Sequence, residues 1–358
     1  MIVFATALSL LAIRVLATCV LAICVLAIYL IATYVVPLIM AAIIRGLSPV
    51  HMLRAAGNER DFAARTGAVK AFLAGLADGV AAYDSKLRRS YAILTRFERP
   101  FYMEGACAGL TISCRLAPWR ARKTLRTFWR EHPQFVFLLI IGTGFSTGLQ
   151  KFWTSGISAS SIAKFEDRID PLLRVLFFDG YAFQKFVFGF HKNPDLLSSG
   201  LNLEPAVRRG FYAGAGRALW FLVADFAAFE SLISPLPEEC RNECLAGYGL
   251  ATGFAGCENV SSGSIATYPP AIAATLSFRL GLTTGLFARY YVDPEFVEKL
   301  LRERQPQLLD TVKDAAATYK EFKAETRTYE QWRHALELKL KNESEGAMAF
   351  ARSVESVA

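Results

Sequence analysis

Residues 246–254 read AGYGLATGF, an uncharged run that places Gly249 and Gly253 four residues apart. Four residues is just over one turn of α-helix, so both glycines fall on one face, where a neighbouring backbone can come close. Glycine costs a helix about 1 kcal/mol relative to alanine, so a helix that keeps two of them needs a close contact to offset the loss. The pattern recurs as FLAGLADGV (72–80), YMEGACAGL (102–110), IIGTGFSTGL (140–149), FFDGYAFQKF (177–186), YAGAGRALWF (212–221) and LGLTTGLFA (280–288). Taking Gly75, Gly105, Gly144, Gly180, Gly214, Gly249 and Gly281 as reference points, the spacings are 30, 39, 36, 34, 35 and 32 residues. Such a period is that of stacked helical hairpins.

Between the glycine stretches lie shorter, more polar candidates for the second helix of each hairpin: SKLRRSYAILTRFER (85–99), ARKTLRTFWREHP (121–133) and DFAAFESLISPLP (225–237). The sequence therefore predicts an all-α protein whose body, residues 46–292, is an α-solenoid-like array of helical hairpin repeats. After Asp293 the glycine pattern stops, and residues 293–345 read as charged amphipathic helices that cap the array, followed by a disordered tail, 346–358. A polytopic membrane protein would use similar small-residue spacing. Asp78, Glu104, Asp179, Arg217 and Arg279 lie within the glycine helices and favour helices buried in protein.

The start of the chain is different. Residues 1–44 hold Arg14 and no other charge, and the uncharged run from Val15 to Ile44 would reach about 45 Å as a helix, more than the roughly 30 Å of a bilayer core. Residues 1–45 are expected to form a single transmembrane anchor. The alanines of its five-residue repeat turn by roughly 140° per step, spiral around the helix and make no packing seam. Arg45, Arg54, Arg60, Arg65 and Lys70 follow the run, and the positive-inside rule places the body in the cytoplasm.

From Arg45 to His132 there are 16 Lys/Arg against 7 Asp/Glu, a net of +9 in a chain whose net charge is +8. A basic surface beside a bilayer matches anionic headgroups, and no nucleic-acid recognition motif accompanies it. Within WRARKTLRTFWR (119–130), helical winding puts Arg120, Arg122, Lys123, Arg126 and Arg130 on one side and Ala121, Leu125, Phe128 and Trp129 on the other. These basic residues are the expected membrane-surface contact.

Chemistry is sparse. Seven cysteines and four histidines show no metal-ligand spacing, and there is no phosphate loop, nucleophile elbow or dinucleotide fingerprint. No cofactor, metal site or catalytic residue is assigned. What remains are the ionisable residues of the glycine helices, Glu104, Asp179, Arg217 and Arg279, with Tyr102, Tyr181 and Trp220 beside them. Charges in apolar helices must be paired or solvated, so these residues either bridge neighbouring helices or line a groove for a partner protein or a hydrophobic small molecule. Glu104 and Asp179 acting together as acid and base is the alternative.

The motifs FYMEGACAGL, DPLLRVLFFDGYAFQKFVF, RRGFYAGAGRALWF and LAGYGLATGFAG, in that order over about residues 45–292, resemble an uncharacterised bacterial family encoded beside enediyne polyketide synthases. The glycine followed by an aromatic in FFDGYAF also resembles, more loosely, tetratricopeptide-type repeats. The first resemblance implies a role in enediyne or polyketide biosynthesis, as a binding protein for a hydrophobic intermediate or as an accessory enzyme of maturation.

Overall fold

Each of the glycine stretches is a helix. The computed structural model describes residues 18–24, 35–46, 59–81, 84–116, 118–150, 173–190, 193–223, 225–261 and 275–355, and among these there are helices and turns but no strand. The helices are α1 (Val36–Gly46), α2 (Glu59–Ala81), α3 (Asp84–Ile93), α4 (Arg99–Leu116), α5 (Pro118–Glu131), α6 (Val136–Gln150), α7 (Arg174–Gly189), α8 (Pro205–Leu222), α9 (Phe226–Ile233), α10 (Glu238–Phe254), α11 (Cys257–Ser261), α12 (Leu276–Val292), α13 (Pro294–Leu301), α14 (Pro306–Ala324) and α15 (Tyr329–Glu355). Several begin where local chemistry requires it. The Glu204 side chain accepts from the Val207 N–H ahead of Pro205, Asp225 accepts from the Ala228 N–H, and Asp293 accepts from the Phe296 N–H ahead of Pro294.

The glycines lie where helices cross. α2 and α4 face each other through Gly75, Gly79, Gly105 and Gly109, and a Cβ on any of them would sit 2.1–2.2 Å from a carbonyl oxygen of the partner. Gly144 and Gly180 do the same between α6 and α7, Gly216 and Gly247 between α8 and α10, and Gly249, Gly253, Gly281 and Gly285 between α10 and α12. Gly142 meets α4, and Gly214 meets α7. The glycine helices α2, α4, α6, α7, α8, α10 and α12 thus pack in chain order, each on the next.

This order is the predicted array, but its course differs from an open solenoid. The late helices return to the early ones: Phe101 of α4 packs edge-on against Phe254 of α10 at 5.2 Å, and Arg65 of α2 donates to the Val223 carbonyl at the end of α8. At the junction, Arg289 of α12 donates to the carbonyls of Phe254 at 2.7 Å and Phe97 at 2.8 Å. Its guanidinium lies within 4.4–4.8 Å of the rings of Phe97, Phe101 and Phe254. The hairpin pattern is also incomplete, since α7 and α8 are joined through short 3₁₀ turns with no polar helix between them. A hydrophobic period sets which helices are neighbours in sequence; the curvature that brings the ends together is set by residues such as Arg289 that lie outside the period.

Around this ring, α14 and α15 pack on α12 and bury Trp332, Tyr319 and Tyr329 against Phe137 and Phe287. α15 runs to Glu355, into the segment 346–358 for which composition predicts disorder. Ala, Met and Glu there are good helix formers and extend a helix whose first half is docked. Among the described residues no helix is long and apolar enough to cross a membrane. Of the run expected to anchor the chain, residues 18–24 and 35–44 are described and helical, and the remainder lies outside the described residues.

Candidate functional site

Three of the predicted residues meet inside the ring. Arg217 of α8 reaches Asp179 of α7 at 2.7 Å and Glu104 of α4 at 3.3 Å, across 113 residues of sequence in the second case. All three side chains are buried, at 7%, 2% and 4% exposure. Arg217 also lies 4.2 Å above the Phe183 ring. The Asp179 contact is close as an ion pair but poorly aligned as a hydrogen bond, and the Arg217 Nε has no hydrogen-bond partner.

One guanidinium between two carboxylates leaves an excess negative charge in an apolar interior. Leaving an ion bare there costs several kcal/mol, whereas protonating a glutamate at neutral pH costs about 4 kcal/mol, at roughly 1.4 kcal/mol per pH unit above 4.3. The group therefore favours holding a proton. Burial pushes the Glu104 carboxyl up, Arg217 pulls it back, and Asp179 adds to the upward push. Burial also raises Asp179, opposed by Arg217 and by Arg333. Burial works against the Arg217 cation, but the carboxylates outweigh it and its pKa is raised. Arg333 of α15, held by Glu243 at 2.6 Å, lines the same small pocket as Asp179 and Tyr329.

On the other side of Arg217 is a cavity of about 60 Å³ lined by Phe72, Phe101, Phe145, Phe183, Phe221 and Phe254, with Glu104 and Arg217 the charged groups in its wall. The rings interlock: Phe72 with Phe145 at 4.7 Å, Phe145 with Phe183 at 6.1 Å and Phe183 with Phe221 at 5.8 Å. Val69, Phe72, Phe183, Val187 and Phe188 are only partly buried and form its outer rim. Ile44 of α1 packs against the cluster that contains Phe145 and Leu73, beside that rim.

Residues 59–340 match the family described as "Protein of unknown function (DUF1702)". The chain belongs to the DUF1702 family. The DUF1702 match takes in every glycine helix, the three-residue charge cluster and the cavity, and stops short of the apolar N-terminal run. No curated protein and no solved structure matches the chain.

The other predicted site residues of this DUF1702 chain lie elsewhere. Tyr102 is on α4 but its hydroxyl donates to Asp78 of α2 at 3.0 Å, and Asp78 is paired with Lys86 at 3.4 Å. Tyr181 is buried with its phenol pushed up to about 12 by burial, and Lys185 sits over its ring. Trp220 is stacked under Arg65 at 4.5 Å. Arg279 is half-buried in the first turn of α12 and is not among the residues of the cavity wall. Arg65, expected among the basic residues that flank the apolar run, is buried at 3% exposure, and Arg289, for which the sequence carried no expectation, is buried at 1%. Their signal in sequence would have been their place inside the glycine helices, the same clue that singled out Arg217.

On α5, Ala121 and Phe128 are buried while Arg122, Lys123, Arg126 and Arg130 are exposed, so the helix divides as its winding predicts. The side chain of Arg120 lies outside the described residues.

Proposed function

We propose that this DUF1702 chain binds a slim apolar molecule in the phenylalanine-lined cavity, at the face of a membrane to which its N-terminal run tethers it with the body cytoplasmic. The observation that carries this reading is the cavity itself, a wall of interlocked aromatic rings interrupted by Glu104 and Arg217. An apolar pocket with a few convergent polar groups is the usual form of a small-molecule site. Of the two partner classes expected, a protein or a hydrophobic small molecule, an interior cavity favours the second. The four motifs' resemblance to a family encoded beside enediyne polyketide synthases suggests a linear polyene of that chemistry.

The free space, about 60 Å³, is smaller than the roughly 150 Å³ that admits benzene, so a ligand enters by turning the rim phenylalanines aside. Methyl parinarate, a linear tetraene that fluoresces in apolar surroundings, is a suitable probe for the full-length chain. Saturable fluorescence is expected, and Ala251→Val, which adds volume to the cavity wall, should weaken binding by about tenfold. Binding that ignores Ala251→Val in a chain with an unchanged melting profile would remove the cavity as the site.

A second reading, a carboxylate acid–base enzyme of polyketide or enediyne maturation, is favoured by Glu104 lining the cavity beside Arg217. For the membrane face, we propose that the exposed Arg122, Arg126 and Arg130 rest on anionic headgroups. The full-length chain should prefer vesicles containing phosphatidylserine to neutral ones, and changing all three to Glu should erase that preference, at about 1 kcal/mol per basic residue. An undiminished preference in the triple variant would reject the docking role.

A further inference from the structure

We infer that Glu104 faces the cavity as a neutral carboxylic acid, so that the site selects apolar chains ending in an uncharged hydrogen-bond acceptor, a carbonyl or ester oxygen, over the matching carboxylates. This rests on the reading that the cavity binds an apolar molecule. The geometry distinguishes the two acids. Glu104 accepts the aligned hydrogen bond from Arg217 at 3.3 Å and Asp179 makes the shorter but misaligned ion contact at 2.7 Å, so what separates the two acids is their surroundings: Asp179 shares a pocket with a second cation, Arg333, whereas Glu104 lies in the wall of the apolar cavity.

Among the described residues Glu104 is ion-paired with Arg217 alone. α6, which packs against the backbone of Glu104 through Gly142, has no ionisable residue. From α2, Arg65 is engaged by Trp220 and the Val223 carbonyl, and Asp78 by Tyr102 and Lys86. Tyr329 and Arg333, the latter held by Glu243, share a pocket with Asp179. Burial raises the Glu104 carboxyl most, Arg217 pulls it back, and Asp179 adds to the upward push, leaving it raised. A buried carboxylic acid donates a hydrogen bond, and a ligand carboxylate brought to it would add a third acid to the two that already share Arg217.

Two measurements on the full-length chain test this. First, methyl parinarate should bind at least about tenfold tighter than parinarate at neutral pH, and Glu104→Gln, which exchanges one neutral donor for another, should leave that ratio in place. An ionised Glu104 predicts instead that Glu104→Gln relieves repulsion and strengthens parinarate binding by about tenfold or more. Second, without ligand, the folding equilibrium of Glu104→Gln should gain on that of the unsubstituted chain by about tenfold per pH unit above roughly pH 4.3, because the unsubstituted chain must take up a proton to fold. A flat comparison from pH 5 to 8 would overturn the inference alone. Failure of both probes to bind, with the pH slope intact, would count against the cavity-binding reading and the selectivity drawn from it, while establishing the charge state of Glu104.

Discussion

Arg217→Met destabilises the protein by about 3–5 kcal/mol at neutral pH, the range expected when one partner is removed from a buried ion cluster. Methionine keeps most of the volume and the contact with Phe183, so the loss reports charge more than packing. Its origin is the two acids left behind, Asp179 above all, which loses the cation that holds it ionised. Without the guanidinium, burial and Asp179 push Glu104 up unopposed and burial pushes Asp179 up against Arg333 only, so both are held further above the ordinary carboxylate range than in the intact cluster. A carboxyl whose folded pKa lies above its unfolded value costs nothing below the unfolded value, about 4, and costs progressively more as pH rises towards the folded value. The penalty of Arg217→Met is therefore small near pH 4 and grows towards neutrality. Adding Glu104→Gln and Asp179→Asn to Arg217→Met removes the ionisable groups and should restore most of the stability. Urea denaturation across pH checks this, and a loss under about 1 kcal/mol, or one that the triple variant does not recover, would show that the cluster is not a buried ionic unit.

The second large effect is steric. Gly180→Ala places a methyl group 1.9 Å from the carbonyl oxygen of Ile141, a backbone atom in the middle of α6 that cannot rotate away. The two helices must separate along their whole crossing, where Gly144 makes the reciprocal approach to Phe177. We expect a loss of about 3 kcal/mol, although alanine is the better helix former. Gly67→Ala in α2 provides the opposite case. Its nearest neighbour is a Phe97 ring atom at 3.8 Å, an ordinary contact, so the variant should gain about 0.5–1 kcal/mol from helix propensity. Thermal melts of the pair should move in opposite directions. If both variants gain stability, the close crossing of α6 and α7 is disproved.

How much could be read beforehand follows from what kind of information a sequence holds. Helix crossings were legible, since Gly75, Gly105, Gly249 and Gly281 repeat at intervals that helical geometry interprets, and each lies against a neighbouring backbone. Glu104, Asp179 and Arg217 were legible as individuals because a charge in an apolar helix stands out. Their meeting was not, because nothing in a repeat of one hairpin length reports a contact 113 residues away. Arg65 was misread for a related reason: a basic residue just after an apolar run looks like a membrane-flanking charge, and only the fold supplies the Trp220 ring and Val223 carbonyl that bury it. The cavity was invisible, since it is the space left between phenylalanines that each look like ordinary core.

Arg289 also bears on how such a chain can change length. An open stack of hairpins can gain or lose one and remain a stack, because each unit touches only its neighbours. Here one guanidinium on the last glycine helix, α12, holds the Phe254 carbonyl of its neighbour α10 and the Phe97 carbonyl just ahead of α4, the second glycine helix of the array. The count of glycine helices is therefore fixed by closure, as the number of staves is fixed in a cask. Loss of an intervening hairpin would carry the Phe97 carbonyl away from the cation while the Phe254 carbonyl stays beside it on the neighbouring helix, so the fold predicts that changes of length fall in the loops outside the ring and in the chain beyond α12.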